Sequence, residues 1–243
     1  WRAMIDAVNS HARMVNGHSE YPSMHGDSGW YGWRPTPWNV GALEMWYWSM
    51  KPEDRPRIGR QAWVEYLEGK NPGFPETALK RDLDSIPQRI AEMQKDPTTP
   101  ETRLADNAME FNPAAVGGMV QLMWGALVPG REGSLLSARL GYFDPARRRA
   151  GVPDDVGALV SELTDARTVV TLVNVSATTP RTVVVQGGGY GEHQILSADL
   201  NGRTTPINAR DFTVRLAPGA GAKLTLAMKR YANPPTAKFP WDR

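Results

Sequence analysis

The spacing of apolar residues changes its period near Val156, and this change segregates helices and strands along the chain. Upstream, Leu79, Leu83, Ile86, Ile90 and Met93 recur at alternating spacings of four and three, the stripe of a helix laid on a core. Downstream, short runs of β-branched residues alternate between turn signals. Residues 158–163, 168–175, 181–186, 193–200, 212–216 and 223–228 each read as a strand, and Asn201-Gly202 is the clearest hairpin signal. Six strands at this spacing predict an antiparallel β-sandwich.

The helical part has recognisable starts and stops. Residues 2–15 place Met4, Ala7, Val8 and Met14 roughly on one side of a short helix. Thr36 as N-cap and Pro37 at the first position predict a helix from Trp38 to Met50, ended by Lys51-Pro52. A second helix is expected over residues 56–68. A third carries the Leu79 stripe, kinked or split at Pro87. Asn112-Pro113 opens another, with Val116, Val120, Met123 and Trp124 on its buried side. Residues 16–35 read as a long irregular loop.

The expected fold is therefore α+β and multidomain. Residues 1–130 form a helical, tryptophan-rich region, a partial helical array resembling part of an (α/α) toroid; 131–155 form a linker with one strand, at 135–142. Residues 156–230 form the sandwich, and 231–243 a proline-rich tail whose Phe239 and Trp241 pack back onto the body.

Charge and composition exclude several functions. The 28 basic and 26 acidic side chains nearly cancel, so nucleic acid is not an expected partner, and the run Arg147, Arg148, Arg149 reads as a solvated face. No stretch approaches the roughly 20 apolar residues of a membrane span. With no cysteine, disulfides, thiolate nucleophiles and cysteine-ligated metals are excluded. A secreted or periplasmic location is expected. The chain opens on Trp1 without an initiator methionine, so a missing N-terminal region or a second chain is expected to complete it.

Candidate chemistry gathers in the segment from His18 to Trp38. Three of the four histidines lie in the first 25 residues and six of the nine tryptophans in the first 48. Aromatic faces stack on the C–H faces of sugar rings, while neighbouring carboxylates and imidazoles bind hydroxyls or move protons. Glu20 and Asp27 are the candidate catalytic carboxylates, with His25 and Tyr31 as proton-transfer groups. His18, Trp30, Trp33, Arg34 and Trp38 are candidate substrate-binding residues. The competing reading packs these aromatics into a core, and Trp46 and Trp48 are assigned there.

Other patterns carry less. His18, Glu20, His25 and Asp27 are metal-ligand types, but their spacing matches no zinc motif, so neither metal nor cofactor is expected. Gly-Asp-Ser28-Gly lacks the preceding strand of a nucleophile elbow. Asp106 and Glu110 could share a helical face or meet Arg103. Gly187-Gly188-Gly189-Tyr190-Gly191 reads as a strand-joining turn rather than a phosphate loop, and His193 as a strand residue.

The order of elements resembles the C-terminal stretch of large bacterial glycoside hydrolases and polysaccharide lyases built on an (α/α) toroid, and residues 169–191 are similar in character to their terminal sandwiches. No catalytic motif aligns, so no residue role is carried over. The resemblance implies a saccharide substrate. Hydrolysis would use two carboxyl groups; a lyase would use a pair such as Tyr31 and His25 beside a uronate. A non-catalytic carbohydrate-binding or assembly module is the contrasting reading.

Overall fold

The computed structural model describes residues 1–99, 101–103, 112–114, 116–128 and 136–243. Asp106, Glu110 and Leu135, the start of the expected linker strand, lie outside the described residues. The fold is α+β, with a sheet-rich C-terminal region. Contacts divide the chain into two compact units, Trp1–Gln61 and Ala62–Arg243.

In the first unit the helix expected over residues 2–15 stops early. α1 spans Arg2–Asn9 and buries Ile5, whereas Met4 and Met14 are exposed. The segment read as an irregular loop is two β-hairpins. β1 (Arg13–Val15) pairs with β2 (His18–Glu20) across Asn16-Gly17, whose φ angles of 49° and 79° make the type I′ turn that matches strand twist. β3 (Met24–Gly26) pairs with β4 (Gly29–Tyr31) across Asp27-Ser28, and two backbone hydrogen bonds join Tyr21 to Arg34.

α2 spans Ala42–Ser49 and does not begin after Thr36. Its boundary is set by Gly41, whose left-handed backbone lies against the Trp1 ring; a Cβ there would sit 3.0 Å from that ring. Met50 in the left-handed region and Pro52 end it. The helix expected over residues 56–68 is two: α3 (Arg55–Ile58) stops at Gly59, and α4 (Ala62–Leu67) opens the second unit.

α5 (Phe74–Lys95) runs on through Pro87 as one helix. The face it buries is not the expected stripe. Phe74, Ala78 and Asp82 are buried, whereas Leu79, Leu83, Ile90 and Met93 are exposed, Leu83 by 65%. The reason is α6 (Gly117–Trp124): the Asp82 carboxylate accepts the Gly118 N–H at 2.6 Å, satisfying a first-turn donor from another helix. A Cβ on Gly118 would come within 2.8 Å of that carboxylate and 3.0 Å of the Ala78 carbonyl. In α6 itself Val120 and Leu122 are buried, whereas Val116, just before it, is exposed.

β5 (Leu140–Asp144) and β6 (Arg149–Ala150) precede β7 (Val156–Leu163), β8 (Arg167–Asn174), β9 (Arg181–Gly187), β10 (Gln194–Leu200), β11 (Arg203–Ala209), β12 (Asp211–Leu216) and β13 (Gly221–Lys229). They form two antiparallel sheets, ordered β11-β10-β13-β8-β7 and β12-β9-β5-β6. Val160, Val170, Leu172, Ile195 and Leu226 bury one sheet, and Leu140, Tyr142, Val183 and Val185 the other. Two strands of these sheets are unanticipated, the short β6 and β11, both at edges; at the β11 edge Pro206 removes no interior ladder bond. Past Tyr231 the tail runs as a strap: Asn233 and Thr236 donate backbone N–H groups to Glu192 and Tyr190, and Phe239 stacks on Trp241 against Phe143.

Candidate functional site

The hairpins gather four of the nine sequence-predicted residues, Glu20, His25, Trp30 and Trp33, into two small clusters. The Arg13 guanidinium donates to one carboxylate oxygen of Glu20 from Nε at 3.1 Å and from Nη2 at 2.9 Å, and it lies 3.9 Å over the Trp33 ring. β1–β2 register makes this possible, because Arg13 sits directly opposite Glu20. In the second cluster Trp30 is flanked by two imidazoles, His25 edge-on at 4.8 Å and His11 tilted at 5.3 Å. His25 is the cross-strand partner of Trp30.

The remaining candidates are placed separately. His18 and Tyr31 are exposed, and Asp27 stands on the exposed turn between β3 and β4. Trp38 packs on the core formed by Ile5, Ala42 and Met45. Arg34 and Trp38 line a pocket of about 130 Å3 with Pro22, Ser23 and Asn39. Of the two tryptophans assigned to the core, Trp46 is buried, but Trp48 is 48% exposed and lines a shallow depression with Trp1 and Met45. Among the described residues no three His, Asp or Glu side chains gather in a group able to hold a metal ion, and no helix is long and apolar enough to cross a membrane.

A larger feature of the same unit escaped the sequence reading. A half-open groove of about 970 Å3 is lined by Asp6, Asn9, Tyr21, Asn39, Glu53 and Arg57, among others. Two of its lining residues, Asp6 and Arg57, belong to an ion-pair ladder. Arg2 grips the fully buried Asp54 with two hydrogen bonds of 2.6 and 2.7 Å, and Ser49 donates to the same carboxylate. Arg57 grips Asp6 at 2.9 and 2.7 Å, donates to the Glu53 carbonyl, and approaches Asp54 at 3.7 Å. Hydrogen bonding to Arg2 holds the Asp54 carboxyl below the usual carboxylate range, and hydrogen bonding to Arg57 does the same for Asp6. Asn9 clamps the backbone of Trp38, accepting its N–H at 2.8 Å and donating to its carbonyl at 2.9 Å. The partners in Arg2–Asp54, Arg57–Asp6 and Asn9–Trp38 are 29 to 52 residues apart, so no local motif announces these three ties.

In the second unit the glycine-rich loop binds an anion of its own. The Tyr190 N–H donates to the Glu192 carboxylate at 2.8 Å, and a Cβ on Gly188 would fall 2.3 Å from that carboxyl. Burial nonetheless raises the Glu192 pKa. Next to it, His193 is buried just ahead of β10 rather than within it. Its Nδ1 accepts the Tyr231 N–H at 3.1 Å. Burial, reinforced by Arg139 and Arg230, pushes its pKa down to about 3, so it is neutral.

Residues 59–120, about a quarter of the chain, match a family described as "Domain of unknown function (DUF8034)". No curated protein matches. Among solved structures, a candidate alpha-galactosidase from Bacteroides fragilis is similar over 33% of this chain and 19% of that one, at 18% identity and a TM-score of 0.26. The chain thus spans about a fifth of that neighbour's length. A likeness this slight assigns neither fold nor activity.

Proposed function

We propose that this chain is a carbohydrate-active protein that engages a saccharide on the hairpin surface of the Trp1–Gln61 unit. The observation that carries the reading is the pair of aromatic clusters there: Trp30 framed by His11 and His25, and Trp33 beside the Arg13–Glu20 ion pair. Rings that present C–H-stacking surface next to charged hydrogen-bonding groups are what a sugar subsite requires. In this reading Trp30, Trp33, Arg34 and Trp38 position the ring with His18, and Tyr31 and His25 lie at hand for proton transfer.

If the protein cleaves its glycan, Glu20 and Asp27 are the carboxylates to test. Glu20 pairs with Arg13 and Asp27 stands on an exposed turn, and the two are the candidates for the acid/base roles. A non-catalytic binding module is the second reading, and one observation favours it: Arg13 already engages a carboxylate oxygen of Glu20 twice. The exposed apolar face of α5 supports a helical array that further helices, from an additional region or a second chain, would cover in the manner of an (α/α) toroid beside a sandwich. A secreted or periplasmic location accords with a glycan substrate.

The test is turnover and binding across a glycan panel, following reducing ends and ultraviolet-absorbing unsaturated products for wild type, Glu20→Gln and Asp27→Asn. Loss of turnover with retained binding in either variant supports catalysis. Binding without turnover by the wild type leaves the module reading, and a panel in which nothing binds or reacts ends the carbohydrate proposal.

A further inference from the structure

We infer that the groove lined by Asp6, Tyr21 and Arg57 is a second ligand site, shaped for a neutral saccharide rather than a uronate; this deepens the carbohydrate reading and rests on it. The volume of about 970 Å3 lies at the upper end of the range of small-molecule sites, about 300–1,000 Å3. Tyr21 supplies an aromatic wall, and Pro37 and Pro56 add apolar surface, the kind of lining on which the C–H face of a pyranose rests.

The charges decide the ligand class. Two anions, Asp6 and Glu53, and two cations, Arg57 and Arg60, line the groove. They balance one another, and Arg57 is committed: its Nε and Nη2 go to Asp6 and its Nη1 to the Glu53 carbonyl. An anionic sugar would add a negative charge to a lining whose charges already sum to zero, and taking Arg57 from Asp6 would leave that carboxylate without its partner. A hydroxyl has no such requirement. It donates to a carboxylate lone pair and accepts from an N–H at once, so adjacent acceptors and donors such as Asp6 and Arg57 suit a pair of neighbouring hydroxyls.

The groove is also held in shape before any ligand arrives. The Asn9 clamp on the Trp38 backbone, the Arg2–Asp54 pair and the bond from Asn39 to the Ile58 carbonyl tie α1, the segment before α2, and α3 to one another. Side chains fixed by their own partners lose little further freedom on binding.

The experiment is calorimetric titration of the full chain with neutral gluco-, galacto-, manno- and xylo-oligosaccharides and with oligogalacturonate and oligoalginate. Wild type is compared with Asp6→Asn, Tyr21→Ala and Trp30→Ala, each checked for its fold by circular dichroism. At least one neutral oligosaccharide should bind, with affinity reduced about tenfold or more in Asp6→Asn and in Tyr21→Ala, and uronates should bind more weakly than neutral sugars. Because Asp6→Asn can loosen Arg57, Tyr21→Ala, which touches no ion pair of the ladder, is the deciding variant. Tighter uronate binding overturns the inference. So does neutral binding that both groove variants retain and Trp30→Ala alone abolishes, an outcome that leaves the hairpin reading standing. If no sugar binds to any form, the groove assignment and the carbohydrate reading fall together.

Discussion

The two units are held together by different means. In Trp1–Gln61 the long-range ties are polar: Arg2 to Asp54, Arg57 to Asp6, and Asn9 to the Trp38 backbone, around a small core of Ile5, Ala42, Met45, Trp46, Tyr47 and Ile58. In Ala62–Arg243 two antiparallel sheets bury an extensive set of Val, Leu and Ile side chains. Apolar burial scales with area and is indifferent to direction, whereas the polar ties are directional and partly solvent-screened. The lesson is a division of labour. The apolar unit supplies stability, and the polar one shapes a surface, at modest stability of its own.

The sharpest test uses His193 in the apolar unit. Its folded pKa, about 3, lies below the ordinary value of 6.5, so the stabilisation due to its neutrality is complete above pH 6.5 and is lost as the pH falls towards 3. Denaturant melts should lose about 4 kcal/mol from this group over that range, and His193→Gln should flatten the slope. An imidazole that titrates near 6.5 by NMR would show that this end of the sheets is wet. Next in size, Leu172→Ala, at a fully buried position, should cost about 3 kcal/mol in urea unfolding followed by far-ultraviolet dichroism. An effect below about 1 kcal/mol would break the contrast between the units.

Gly188→Ala should cost about 2 kcal/mol, because Gly188 has φ +88° and its Cβ would meet the Glu192 carboxyl. Adding Glu192→Ala should return part of that loss; if the double variant is no more stable than the single one, the nest is not what requires glycine. The smallest change is expected in the polar unit, from Asp54→Asn. Arg2 depresses the Asp54 pKa, so the carboxylate stabilises the fold at pH values above the ordinary carboxylate pKa and ceases to do so as acid protonates it. Tryptophan fluorescence should report an earlier melt for the variant at pH 7 and a much smaller difference from wild type near pH 2. Equal melts at pH 7 would mean that the Arg2–Asp54 pair is solvated.

Much of the second unit was legible because a strand's burial is written locally. The six runs from 158 to 228 correspond to strands, with ends displaced by one or two residues, and Asn201-Gly202 turns β10 into β11 at φ 54° and 82°. The same dipeptide at Asn16-Gly17 makes the first hairpin, inside the segment expected to be a loop, because flanking strands of three residues are too short to show an alternating pattern. α5 shows the opposite failure. Its periodic stripe is real, yet the face buried within its own unit is the one that offers Ala78 and Asp82 to Gly118.

The candidate site divides in the same way. The clustering of indoles, imidazoles and acids in the opening residues was visible in the sequence, and cross-strand pairing then set Arg13 against Glu20 and His25 against Trp30. The groove was not visible, because Asp6 and Arg57 are 51 residues apart and become neighbours only after α1 and α3 have packed.

By itself the sequence determined the strand runs beyond Val156, the left-handed turn at Asn201-Gly202, and the absence of thiols, since each depends on one residue or on a short period. Tertiary structure alone decided which helix face is buried, which carboxylates are neutralised and where a cavity opens. Those outcomes depend on pairings between distant residues, and the free energy of an ion pair or a helix crossing exists only once both partners are in place.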